Sequence, residues 1–267
     1  MSRWIADDID FSAYEHETEF RAQVRRPSVF AEDLDAEFAP RTAGQRRCNM
    51  ASTKLRSAID FRPAEVTVWA GFNGHRKSMF CGQVMLDLID QGERVLAVSL
   101  EMLPRKSLYR MCRQATAHDM PSAERRAEFL SWTDDRLWLF DHVGNLNPRR
   151  CLALCRYFAD ELKGTHVFID SMMKVCESEE SLDEQKKLVG DLCAMGQETG
   201  LHLHLVAHAK KPGTDGETRP PTKYDIRGSS AISDQCHNIV TVWMNKAKRA
   251  EREKSAEAQN ADILAKH

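Results

Sequence analysis

The stretch Glu65 to Ser78, EVTVWAGFNGHRKS, holds the residues best suited to chemistry. A short apolar run (Val66, Val68, Trp69) enters a glycine-containing turn, and the turn closes on Lys77-Ser78 at the start of a helical pattern. That layout suits a phosphate. Backbone N–H groups of the turn and of the helix N-terminus surround the anion, a lysine neutralises its charge, and a serine hydroxyl ligates Mg²⁺. Gly71, Lys77 and Ser78 fall in register with G-x-x-x-x-G-K-[ST], and Asn73, Gly74, His75 and Arg76 complete the cradle. Arg76 stands where the pattern has glycine, and a side chain there would crowd the backbone's approach to the phosphates. From these residues alone, an ordinary strand-turn-helix with a surface lysine remains the alternative.

Further chemistry-bearing residues sit where apolar runs end. RVLAVSLE ends in Glu101, THVFIDS in Asp170, and LHLHLVAH in His208. If those runs are parallel strands of one sheet, their carboxyl ends share an edge, and Lys77, Ser78, Glu101, Asp170 and His208 converge on one ligand. A carboxylate at Asp170 suits a hydrated Mg²⁺, one at Glu101 suits polarising a water, and an imidazole at His208 suits a terminal phosphate. Singly, each has a plainer reading as a helix cap, a surface acid or a strand-end histidine. His202 and His204 alternate with leucine and read as strand-face residues.

The elements needed to position them follow from periodicity. Strands are expected at Glu65–Ala70, Arg94–Ser99, Arg136–Asp141, His166–Asp170, His202–Ala207 and Asn238–Trp243. Helices are expected from Lys77 through Leu88, then at Pro104–His118, Pro121–Trp132, Pro148–Leu162, Leu182–Thr199 and Ala231–Cys236. A loop rich in Lys, Pro, Gly and Thr covers Ala209–Gly228. A charged stretch, Asn245–Glu257, precedes a last short strand, Asp262–Ala265; within it Lys246–Lys254 reads as a solvated turn, because Glu251 and Glu253 interleave with the cations, with a DNA contact as the alternative. Strands alternating with helices imply βαβ units and a mainly parallel sheet.

Composition bounds the rest. The 267 residues carry a net charge of −2 and 42% hydrophobic side chains, enough for a sizeable core. No apolar run reaches the length of a membrane span, and the N-terminus lacks a signal-peptide pattern, so a cytoplasmic protein is expected. The eight cysteines show no paired C-x-x-C spacing and read as buried reduced thiols. Residues 1–45 are set apart. Between Met1 and Pro40 there are ten acidic and four basic side chains with dispersed apolar residues, the pattern of an acidic linker or docking arm ahead of a domain at 46–267.

Five segments, taken in order and spacing, carry a family resemblance: FRPAEVTVWAGFNGHRKS, RVLAVSLEM, HVFIDSMMKV, LVAHAKKP and DIRGSSAISDQCHNIVTVWMNK. Together they resemble the helicase domain of the DnaB/Twinkle type, the RecA-like ATPase half of phage and plasmid primase-helicases. The resemblance implies an α/β RecA-like P-loop NTPase fold with a mainly parallel central sheet flanked by helices. It implies ATP or another NTP with Mg²⁺, single-stranded DNA as partner, a ring hexamer, primase as a further partner, and a phage, plasmid or bacterial source. Carried over, Lys77 and Ser78 are the Walker-A pair, Glu101 the catalytic glutamate, Asp170 the Walker-B aspartate and His208 the γ-phosphate sensor. Lys210, Lys211, Lys223, Arg227 and Gly228 fall in the DNA-facing loop region, where cations on a Gly/Pro-rich backbone suit a sequence-independent grip. A solvated surface loop is the alternative there. Departures are Arg76, His237-Asn238 in place of the family's Asp-Asn, and Met244 in place of an arginine. Lys266 matches the lysine of the family's Lys-x-Arg finger, and the chain stops one residue before the arginine. The expected function is an ATP-driven helicase motor in DNA replication. The alternative is a nucleotide-binding assembly or regulatory module with weak or no hydrolysis.

Overall fold

The computed structural model describes residues 26–32, 35, 48–50, 52, 54–55, 58–175, 181–210, 218–228 and 230–265. The chain divides after Arg46 into two units. In the first, the described residues include one 3₁₀ turn, Pro27–Phe30. The second carries six strands: β1 (Val66–Gly71), β2 (Val95–Ser99), β3 (Leu137–Leu139), β4 (His166–Asp170), β5 (His202–His208) and β6 (Asn238–Thr241). They form one sheet in the order β3-β2-β4-β5-β1-β6, with every pairing parallel. β1, β4 and β5 are interior strands buried on both faces. This is why they read as near-continuous apolar runs rather than alternating ones.

Seven helices belong to the described residues: α1 (Lys77–Asp90), α2 (Pro104–Thr116), α3 (Ala123–Thr133), α4 (Pro148–Asp160), α5 (Leu182–Thr199), α6 (Ala231–Gln235) and α7 (Lys246–Ala265). Their starts follow local chemistry. Pro104 and Pro148 occupy first-turn positions, and the Ser122, Asn147 and Ser181 side chains accept from backbone N–H groups of α3, α4 and α5. Gly200 ends α5 in the left-handed region. Side chains of α1, α2 and α3 pack with Trp69 and Phe168 on one face of the sheet. Those of α4, α5 and α6 pack with Val68 and Ile169 on the other.

Under α1 the sheet buries His166, His202 and His204, the latter two being the strand-face histidines of β5. Phe61 lies edge-on to all three, and Phe168 stacks on His204 at 3.9 Å between ring centroids. Their hydrogen bonds have a direction. Trp69 Nε1, a donor only, points at His204 Nδ1 (3.1 Å), so the neutral His204 ring carries its proton on Nε2 and donates it to His166 Nδ1 (3.1 Å). The His166 proton therefore sits on Nε2 and faces Glu93 Oε2 at 3.7 Å, while Cys48 Sγ donates to Glu93 Oε1. Cys48, Glu93 and His166 lie close enough to hold a metal ion. The proton on Nε2 blocks the lone pair a metal would need, so the cluster is wired for hydrogen bonding.

Several expectations require correction. The short strand at Asp262–Ala265 and the solvated turn before it are one helix, α7. From Lys246 to Asn260 the residues are almost all Ala, Lys, Arg, Glu and Gln, strong helix formers without a Gly or Pro to stop propagation. Arg249 and Glu253 add an i,i+4 pair. β3 and β6 are shorter than the runs Arg136–Asp141 and Asn238–Trp243, because edge strands lose pairing partners sooner. Cys81, Cys112, Cys151 and Cys155 are buried free thiols as expected, whereas Cys48, Cys193 and Cys236 are only half-buried. Cys176 lies outside the described residues.

Candidate active site

β1 delivers the chain to the sheet's carboxyl edge, where residues 72–76 turn back into α1. Gly71 is required at the bend: a Cβ there would come within 2.4 Å of the Val242 carbonyl oxygen, which belongs to the exit of β6. Arg76 adopts the left-handed conformation (φ 64°, ψ 30°), and no side chain caps the helix that follows. The first-turn N–H groups of α1 are thus left to an anionic ligand, as at other helix N-termini that bind phosphate. The Arg76 side chain is exposed and lines the cleft, so the backbone takes the glycine-like turn while the side chain stays in solvent at the rim.

Lys77 is 6% exposed, and its ammonium group spends its three donors inside the protein. It donates to Gly71 O (2.9 Å), Phe72 O (3.1 Å) and His208 Nδ1 (3.1 Å). Burial lowers its pKa, an effect opposed by the nearby Asp170 and Glu101 carboxylates. With Nδ1 of His208 accepting from Lys77, a neutral ring carries its proton on Nε2, which faces Glu101 Oε1 at 3.4 Å. The hydrogen bond with His208 is the main reason the Glu101 carboxyl titrates below its ordinary range. Asp170 moves the other way, since burial raises its pKa and only the Ser78 hydroxyl and nearby cations oppose this.

These groups share one cleft of about 780 Å³. Asn73, Gly74, Arg76, Lys77, Ser78, Glu101, Asp170 and His208 line it, as the strand-end argument requires. His75 does not. It is 1% exposed and accepts from Met244 N (3.1 Å), which fastens the loop to the exit of β6. The opposite wall holds residues that sequence reasoning missed: Arg110, Arg113 and Gln114 on α2, with Asp119 paired to Arg113. Their i, i+3, i+4 spacing on the helix that follows Glu101 was the available signal.

The loop after β5 starts at the same edge. Arg227 N donates to His208 O (2.8 Å) and Lys210 N to Asp225 O (2.7 Å), so the loop's two ends are pinned together beside the histidine. Lys210, Lys223 and Arg227 are exposed. Gly228 is needed where it lies, at φ 115° with Gln185 Oε1 2.3 Å from the position of an added Cβ. Lys211 and Lys266 lie outside the described residues.

The donor set fits a nucleotide with a hard divalent cation. The Asp170 carboxylate and Ser78 hydroxyl face one another as oxygen ligands, and the buried Ser99 hydroxyl, on the register partner of Asp170, has no hydrogen-bond partner among the described residues. Residues 45–214 match the family described as an AAA domain, AAA_25. The chain belongs to that AAA-domain family. No curated protein matches it in sequence. Among solved structures, the AAA-domain chain is similar to the ATPase domain of G40P (15% identity, 70% of this chain and 72% of that one, TM-score 0.59). It is also similar to a DnaB-like replicative helicase solved for its interactions with primase (12% identity, 84% of this chain, TM-score 0.67). At these identities the likeness is one of fold, and this chain spans 59% of that helicase's length. The fold is that of DnaB-type helicase ATPase domains, RecA-like with an all-parallel sheet. Among the described residues no helix is long and apolar enough to cross a membrane.

Proposed function

We propose that the chain is the motor domain of a DnaB-type replicative helicase, which hydrolyses a nucleoside triphosphate to move along single-stranded DNA. The observation that carries this reading is the chain Lys77–His208–Glu101 at the mouth of a phosphate loop, with the His208 carbonyl bonded to Arg227 of a basic loop. The amides at the start of α1 and Lys77 hold the β- and γ-phosphates, and Arg76 and Arg110 add cations at the rim. Ser78 and Asp170 would hold Mg²⁺, which when bound neutralises charge on the phosphate oxygens. Glu101, kept ionised by His208, orients a water for in-line attack and receives its proton. An incoming γ-phosphate competes with the protein acceptors of Lys77 and so frees His208, whose backbone shifts the loop carrying Lys210, Lys223 and Arg227. Work as a ring hexamer beside primase in a bacterial, phage or plasmid cytoplasmic system fits the same reading.

Steady-state NTP hydrolysis with and without single-stranded DNA, at low and moderate salt, tests it. Single-stranded DNA stimulates turnover, salt weakens the stimulation, and Lys77→Ala abolishes it. Turnover indifferent to single-stranded DNA would remove the motor reading.

A further inference from the structure

The turn that closes the basic loop carries an aromatic ring. Tyr224 is 77% exposed, against 55% for Tyr109 and 54% for Tyr157. It is nevertheless mounted on firmly bonded backbone, the 3₁₀ turn Lys223–Asp225. Asp225 Oδ2 accepts from Thr222 N (2.8 Å), Thr222 Oγ1 (2.9 Å) and Arg219 Nη1 (3.1 Å). The Thr222 N–H, followed by the Arg219 guanidinium, pulls the Asp225 carboxyl down to about 2, so it stays ionised and bonded at neutral pH. On the other side Asp225 O accepts from Lys210 N (2.7 Å), and Ala209 bridges Ile226, whose side chain is buried in the core. Cations gather at the ring itself. Lys223 Nζ lies over it, 5.1 Å from the centroid, and Lys210 Nζ donates to the Tyr224 carbonyl oxygen (3.4 Å).

An exposed aromatic ring on its own is an ordinary surface feature. The surroundings of this one give it a use. Asp225 and Ile226 already fix the turn, so a ligand that covers the ring has little further backbone to order. Lys223 lies over one face of the ring, and at 77% exposure the opposite face is open to solvent. A flat apolar partner fits that face, and the ammonium groups of Lys210 and Lys223 beside it call for negative charge. A nucleotide of a single strand offers both, a base with a free π-face next to a phosphate. We propose that Tyr224 stacks on one base of single-stranded DNA, with Lys210 and Lys223 meeting the phosphates that flank it. The proposal rests on the motor reading, in which this loop faces DNA. It adds a contact to a base where cations alone would track only the backbone. A short path joins that contact to the nucleotide cleft, since Arg227 N donates to His208 O and Lys77 donates to His208 Nδ1. A nucleotide that shifts His208 therefore shifts the stacked base with it.

The test is fluorescence anisotropy of a labelled oligothymidylate and of an abasic strand of the same length. Each is added to the full chain with Mg²⁺ and a non-hydrolysable ATP analogue. Stacking predicts that wild type binds the oligothymidylate about tenfold more tightly than the abasic strand. Tyr224→Ala should erase that preference, and Tyr224→Phe should keep it. Lys210→Ala should weaken both strands alike and reduce the dependence on salt. Equal affinity of wild type for the two strands, or a preference that survives Tyr224→Ala, overturns the proposal. Loss of the preference in Tyr224→Phe as well would assign it to the hydroxyl and overturn stacking. Light scattering on the same samples covers another use of the ring. If Tyr224→Ala lowers self-association and leaves the preference intact, the ring serves a contact between copies and the proposal falls. The abasic strand tests the motor reading separately. Salt-sensitive binding to it keeps DNA as the loop's partner even where the base makes no difference, and no binding to either strand removes both readings.

Discussion

Arg76 concentrates the residue-scale question. The phosphate loop needs a left-handed residue immediately before Lys77, and this chain meets the need with an arginine at φ 64°. A β-carbon in that region costs about 1–2 kcal/mol, and glycine's extra freedom in the unfolded chain returns roughly 0.5–1 kcal/mol of that. Arg76→Gly is therefore expected to stabilise the fold by about 0.5–1 kcal/mol in urea denaturation. It should weaken NTP binding by no more than a few-fold, the loss of one exposed cation at the rim of the cleft. A loss of stability would show that the arginine makes contacts worth more than its backbone strain. Gly71 is the counter-case: its conformation is ordinary, and what forbids a side chain is the Val242 carbonyl.

At the scale of elements, the buried histidines bind β1, β4 and β5 together beneath Phe61 and make the sheet sensitive to acid. Burial lowers the pKa of all three, to about 4 for His202 and well below 6.5 for His166 and His204. In the unfolded chain each titrates near 6.5, so below that pH the unfolded state binds more protons than the folded one. Stability is complete above about pH 6.5 and falls as pH drops through that value. The slope approaches roughly 1.4 kcal/mol per pH unit for each histidine, or about 4 kcal/mol for the three together. Urea midpoints measured at pH 7, 6 and 5 should fall steeply across the series, before most carboxylates begin to titrate. A flat profile from pH 7 to 5 would mean that the cluster opens to water without unfolding.

For the molecule as a whole, the cleft is open, and its far wall on α2 carries Arg110 and Arg113 at the rim. If a neighbouring copy completes the site, as the ring reading holds, turnover per chain should rise with protein concentration and saturate once assembly is complete. Hydrolysis assayed across a wide dilution series, in parallel with light scattering, checks this. Turnover strictly proportional to chain concentration at every dilution would mean that each chain works alone.

Sequence determined a good deal of this protein by itself. Apolar runs of strand length, alternating with helical periodicity, specify a parallel sheet because only βαβ crossovers satisfy both. The residues ending those runs then fall on one edge by topology alone, which is why Lys77, Ser78, Glu101, Asp170 and His208 were legible before any coordinates. Tertiary structure decided what depends on distance across the sheet and between helices. It set the direction of the Trp69–His204–His166 hydrogen bonds, turned His75 toward Met244 instead of the cleft, and brought α2's Arg110 and Gln114 beside a loop far away in sequence. It also let α7 continue through Asp262–Ala265, where a segment of four residues alone could not distinguish strand from helix. Periodicity records which face of an element is buried. What that face meets is settled only when the elements pack.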